Sequence, residues 1–334
     1  MMGVSCSCFS LRRVFGDTKN AEKLVNSSAQ FLLFIMKKFF LSLVAMMIAT
    51  VSFAQNTLVA TLTHGDEISM FYGAYAFQNV MKAAVDGDII SLSGGGFQST
   101  NITKAVTIRG TGIDDANPTY IINNFTIEIP DTTSNRLTIE GVRISNTITT
   151  KGTLNNAYFV KDYIGGFSTN GTVKNAMFVN CKAYNVYVGS SNPTTFEFIN
   201  SFVNAFENRS YSTTSSATFV NCVIWQDAYS SACQAATICS STLINCIIYN
   251  SYNVSFNSFP NTTSVTNCIA IGNGNPFSGV FASNNNWYNV PISIFKDSNV
   301  LNDLTDAAKA KYLDKKEDKY ILNVPLGVES GNYC

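Results

Sequence analysis

Acids are scarce where this chain would need them. Between residues 141 and 295 the carboxylates are Asp162, Glu197, Glu207 and Asp227. Cleaving a sugar chain with paired carboxylates requires two acids placed across one glycosidic bond. The pair whose spacing permits this is Glu207 with Asp227, twenty residues apart, with Arg209 close by and Lys182 near as a second base. The same two acids are where a calcium ion would find ligands; no other cofactor is expected and no metal site is assigned. His64 is the single histidine, which excludes the multi-histidine centres of zinc and non-haem iron enzymes and leaves one ring for any nucleophilic triad. No Cys-x-x-Cys occurs, so the usual redox and zinc motifs are missing. The alternative chemistry is stacking. Tyr184, Trp225 and Tyr249 fall 41 and 24 residues apart, two steps and one step of a repeat, with Tyr187 and Tyr252 three residues beyond the first and last of them. A line of aromatic faces is suited to sugar rings, and Trp287-Tyr288 could add a further pair. With 22 basic and 22 acidic side chains, net charge zero and 13% charged residues, the chain lacks the basic patch of a nucleic-acid binder.

What could position such residues is a repeat. One phrase recurs: Leu137 to Ile144, Ala157 to Ile164, Ala176 to Ala183, Phe196 to Val203, Ala217 to Ile224, Ser241 to Ile248 and Ser264 to Ala270. Its pivots fall at 141, 161, 180, 200, 221, 245 and 267, a mean step of 21 residues. A fixed period of this size signals a solenoid whose repeats bury their apolar faces against their neighbours. The residues around each pivot alternate as strands do. The pivot is Asn in five repeats, Gly at 141 and Lys at 161, and Asn and Gly tolerate the left-handed backbone that a sharp bend requires. Positions one and three after the pivot should then face the core. The first of these columns reads Val142, Asp162, Cys181, Ser201, Cys222, Cys246 and Cys268, so the cysteines are expected as small apolar fillers and Asp162 as a buried carboxyl in need of a partner. Position four, with Ser145, Gly165, Tyr184, Asn204, Trp225, Tyr249 and Ile271, should face outward or open the next turn. Cys233 and Cys239 lie in the longest step and could pair across that loop.

The ends need covers, because an open strand edge is a template for association. Near the start, Phe77, Val80, Met81 and Ala84 fall on one face of a helix. Near the finish, Asp303 to Asp318 reads as a second amphipathic segment with Leu304, Ala307, Ala308 and Tyr312 turned inward. Upstream, Met36-Lys37-Lys38, the apolar run Phe39 to Phe53 and the small residues before Gln55 have the form of a secretory signal peptide cut after Ala54. The organisation expected is an overcalled extension over 1–35, a signal peptide over 36–54, a solenoid over 55–295 and a cap and tail over 296–334. No integral membrane span is expected once the signal is removed.

The phrase from Ala76 to Gly94, a helix followed by Gly87-Asp88-Ile89-Ile90, and the stretch Ile102 to Gly112 that follows it resemble the opening of right-handed parallel β-helix proteins of the pectin-lyase-like superfamily. The resemblance covers about residues 57 to 295. It implies an all-β fold, a right-handed parallel β-helix of about 21 residues per coil with short capping helices at both ends. It does not carry over an activity. Lyases of this superfamily use acidic calcium ligands with an Arg or Lys base, and its hydrolases use an aspartate constellation with Gly-His-Gly and Arg-x-Lys; none of these hydrolase motifs is present here. One fold hosts many functions. The expectation is therefore a secreted, periplasmic or cell-surface scaffold that binds a polysaccharide or glycoconjugate, or adheres, without catalysis. The alternative is a polysaccharide lyase or glycoside hydrolase built on Glu207, Asp227, Arg209 and Lys182.

Overall fold

The computed structural model describes Met36, residues 57–188, and beyond them 193–204, 206–208, 215–226, 241–250, 263–272, 274–278, 281–284, 286–290 and 331–332. The leader after Met36, the segment from Asp303 to Asp318, and Cys233, Cys239 and Cys334 lie outside the described residues. Two compact units divide the chain after Asn56. The second holds a parallel β-solenoid of about 7 turns with about 21 residues per turn.

Every pivot bends through the left-handed region, Lys161 included although its type does not favour it. Gly141, Lys161, Asn180, Asn200, Asn221, Asn245 and Asn267 have φ of 69°, 54°, 55°, 47°, 54°, 55° and 53°. The short strand before each bend joins one sheet, as with Tyr158–Val160, Thr194–Ile199 and Ser216–Val220, and the strand after it joins another, as with Tyr163–Thr169, Phe202–Asn204 and Val223–Gln226. Neighbouring coils pair parallel and in register, so the same repeat position recurs in the same place. In the earlier coils a third side forms. Phe125, Ile148, Phe167, Val186 and Phe206 follow one another in parallel pairing there. The chain turns that corner at a bulge between Ile164 and Gly166. Gly165 sits so close to the preceding coil that an added Cβ would lie 2.2 Å from the Ser145 carbonyl oxygen, so only glycine fits.

Register also dictates the core. Phe159, Phe178, Phe198 and Phe219 occupy the same position in four successive coils, and their rings lie face to face at 4.7, 4.7 and 5.0 Å with interplanar angles of 7°, 14° and 6°. Isolated aromatic pairs prefer offset or edge-on contact; here the strand spacing of about 4.8 Å imposes the stack. Phe167 closes it from the third side, edge-on to Phe159 at 5.6 Å and to Phe178 at 5.4 Å. Each of these rings is fully buried.

At the N-terminal end the chain departs from the repeat. Strands β1 (Val59–His64) and β2 (Glu67–Tyr72) form an antiparallel hairpin through Gly65, whose φ is 57°. The strand Ile89–Leu92 pairs antiparallel with β1 on one side and parallel with Thr107–Arg109 on the other. Helix α1 (Ala76–Ala83) follows the hairpin. Its Phe77, Val80 and Met81, and Ala84 just beyond it, are buried as the sequence pattern predicts. The Lys104 ammonium donates to the carbonyls of Met81, Lys82 and Ala84 at the helix end, where a cation complements the dipole. On β2, Ile68, Met70 and Tyr72 remain exposed.

The left-handed pivots yield a direct test. Lys161 bears a cost that Asn or Gly would not, of about 1 kcal/mol. Lys161→Asn is expected to raise the urea midpoint of unfolding, and Asn221→Val to lower it, with a loss of about 1–2 kcal/mol in unfolding free energy; a fall in both variants would contradict the bend as the determinant.

Candidate functional site

The buried column one residue after the pivot is where the solenoid keeps its polar chemistry. A left-handed bend turns backbone N–H and C=O groups toward the interior, where an unpaired one is costly. Side chains of the next coil supply the partners. The Val142 N–H donates to Asp162 Oδ1 at 2.8 Å, the Cys181 N–H to Ser201 Oγ at 3.1 Å, the Cys246 N–H to Cys268 Sγ at 3.4 Å and the Cys268 N–H to Asn286 Oδ1 at 2.8 Å. In return Ser201 Oγ donates to the Phe178 and Ile199 carbonyls, at 3.1 and 2.9 Å. The thiols do the same: Cys181 Sγ lies 3.3 Å from the Phe159 oxygen and Cys222 Sγ 3.2 Å from that of Phe198. The cysteines are small buried core fillers, as expected, and they do more than fill. Cys181, Cys222, Cys246 and Cys268 are free and buried, and they act as weak donors to backbone carbonyls at the bend. Burial pushes the thiols of Cys181, Cys222 and Cys268 well above their ordinary range, which makes them poor nucleophiles.

Asp162 is the strained member of this column. It is fully buried, and besides Val142 it accepts the Val160 N–H at 3.2 Å. Burial drives its carboxyl well above the ordinary value of 3.8, and the backbone N–H bonds only partly oppose this. The role expected for it, a structural hydrogen bond, is what the geometry shows.

The outward face of the post-bend sheet carries the aromatic residues. Two and four positions after the pivot, residues alternate with the core columns; Lys182, Phe202 and Asn204 there are buried, and Tyr163, Tyr184 and Tyr249 are half-buried. Lys182 lies in the first outward column beside Tyr163 and Phe202, its backbone neighbours in register. It is 1% exposed, with Nζ 5.3 Å from the Phe202 ring centre, 5.9 Å from Tyr163 and 6.0 Å from Tyr184. Such an ammonium is held by ring quadrupoles. Arg143, one coil before Tyr163, lies 5.7 Å over the Tyr120 ring and donates twice to the Ile113 carbonyl, at 3.0 and 2.7 Å. In the second outward column Asn204, Trp225, Tyr249 and Ile271 are consecutive backbone partners. Tyr184, Tyr187 and Tyr249 are half-buried, between a free platform and rings packed under loops. Burial raises the phenol of Tyr249; it also raises that of Tyr163, with the Arg143 charge opposing. Trp287 is half-buried as well, and Tyr288 packs against the core.

Glu207 is placed by its backbone opposite Tyr187; Arg209, Asp227 and Tyr252 lie outside the described residues. Among those described, no group of three His, Cys, Asp or Glu could hold a metal ion, and no helix is long and apolar enough to cross a membrane. His64 is engaged elsewhere, its Nδ1 2.7 Å from Asp88 Oδ1. That hydrogen bond and the carboxylate charge raise its pKa. One feature of the outer face escapes a reading centred on the fourth position: the alternation Arg143, Tyr163, Lys182, Phe202, visible by counting two past each pivot, with Tyr120 paired ahead of Arg143. The chain matches no family model, no curated protein and no solved structure.

Asp162 generates the prediction. A carboxyl whose folded pKa is raised gives its full stability below the unfolded value near 3.8 and loses it as pH rises through the folded value. Asn keeps the acceptor for Val142, as Asn286 Oδ1 does for Cys268, and gives up only the longer bond from the Val160 N–H at 3.2 Å. Asp162→Asn should therefore exceed the parent in stability by about 1–3 kcal/mol at pH 8 and converge on it near pH 3. Urea unfolding at both pH values reads the difference, and equal stability at pH 8 would refute the buried-charge assignment.

Proposed function

We propose that the chain is a secreted surface protein that presents the outer face of its post-bend sheet to a glycan without cleaving it. The observation that carries this reading is the in-register row of Asn204, Trp225 and Tyr249, preceded by Tyr184 in the same repeat position. Parallel pairing spaces these residues by about 4.8 Å per coil, and Tyr184 and Tyr249 keep part of their surface open. Sugar rings stack on such faces through their C–H edges, and neighbouring polar groups fix orientation. Export is supported by the cationic, apolar and small-residue regions of the segment from Met36 to Ala54. The low charge of the chain favours a neutral or weakly charged polymer over nucleic acid.

The test is a glycan-array screen of the exported protein beside a Tyr184/Trp225/Tyr249→Ala triple variant, with each hit incubated and examined for shortened products. The expected result is binding in the parent, at least tenfold weaker binding in the variant, and intact glycan. Cleavage would replace this reading with a lyase or hydrolase that uses Glu207, Asp227, Arg209 and Lys182. Silence from the parent would leave an adhesive element with a protein partner.

A further inference from the structure

Asn204 is out of keeping with everything around it. Its column otherwise holds Tyr184, Trp225, Tyr249 and Ile271 from Tyr184 onward. It is 1% exposed, and neither its Oδ1 nor its Nδ2 has a hydrogen-bond partner. The buried polar side chains of the bend column are different in this respect: Asp162, Ser201 and Asn286 are each bonded to backbone of a neighbouring coil. Other orphaned buried atoms are the hydroxyls of Thr150, Thr194, Ser215 and Thr263, each a single rotatable group. A carboxamide has no such freedom. It presents a fixed donor beside a fixed acceptor, and both stay desolvated and unmatched. A leucine of similar size would extend the apolar row at no such cost, so the fold gains nothing from an amide here.

We infer that the Asn204 carboxamide is the polar anchor of a carbohydrate site on this outer face, and that its ligand is an uncharged pyranose with two adjacent hydroxyls. This rests on the glycan-binding reading above and specifies its chemistry. Oδ1 accepts from one hydroxyl and Nδ2 donates to the next, the paired geometry that a planar amide offers. Tyr184, one coil before it in the same column, and Tyr249, two coils beyond it, supply surfaces for the apolar faces of successive sugars. Because the free chain buries the amide, the outer face must open locally before the ligand reaches it. Residues kept for a ligand at the expense of the fold have a signature: removing them stabilises the protein and weakens binding.

The experiment compares the exported parent protein with Asn204→Leu, by urea unfolding and by calorimetric titration with neutral cello-, manno- and galacto-hexaose and with a hexamer of galacturonate. The expected result is a higher unfolding midpoint for Asn204→Leu and at least a tenfold loss of affinity for the neutral hexaose that binds the parent. Should Asn204→Leu not accumulate, Asn204→Val removes the same donor and acceptor pair, suits a strand, and should lose affinity equally. A lower midpoint would show that the amide serves the fold, and the inference would fall. Unchanged affinity would overturn the anchor while leaving the glycan reading intact. Binding confined to the galacturonate hexamer would overturn it too, assigning recognition to charge. No binding of any oligosaccharide by the parent would overturn both the anchor and the reading beneath it.

Discussion

The left-handed bend once per coil is the constraint from which the rest of this solenoid follows. A residue at φ near 55° turns the chain abruptly between two short strands, and only a few residue types do this without strain. Once the bends are stacked, the strands on both sides are in register. Positions one and three beyond the bend then face inward in every coil. The bend also leaves backbone polar groups inside, which is why the first inward column is Asp, Cys, Ser and Asn instead of Val throughout. A side chain short enough to reach the neighbouring coil's backbone, and able to bond with it, is what the site needs. Thiols meet that need while remaining small enough for the core.

Two kinds of cohesion meet across this interior. On one side the phenylalanine stack, spaced by the strands themselves, supplies apolar contact that runs unbroken over four coils. On the other, hydrogen bonds at the bends tie each coil to the next. Neither is strong singly, and both are propagated by register. The outer face inherits the same periodicity without the same demand for burial. There the chain places rings and cations in alternation, with Lys182 among three aromatic rings, and there it tolerates an amide with no partner.

Much of the fold is legible in the residues because the bend is so selective. Asn180, Asn200, Asn221, Asn245 and Asn267 announce the period, and Lys161 is recognisable by position although its type is wrong for the conformation. The apolar face of α1 is plain from Phe77, Val80 and Met81. The hairpin from Val59 to Tyr72 is not, since it occurs once and belongs to no repeat. The bends at Asn156 and Asn175 also lie off the main period. Cysteine in a buried column looks apolar in a sequence, and its bonds to carbonyls emerge only from distances. Asn204 shows the limit for the candidate site. Its column was readable, but an unmatched buried amide is a relation among atoms.

A stack of identical coils has no length of its own. Each coil offers on one side the bonding edge that it receives on the other, so in principle growth stops only where something unlike a coil is added. The antiparallel hairpin is that unlike layer. By reversing direction against Ile89–Leu92, it ends the run of parallel strands with β2 outermost, much as a misfit molecule interrupts a crystal face, and coils could be gained or lost behind it without disturbing that layer.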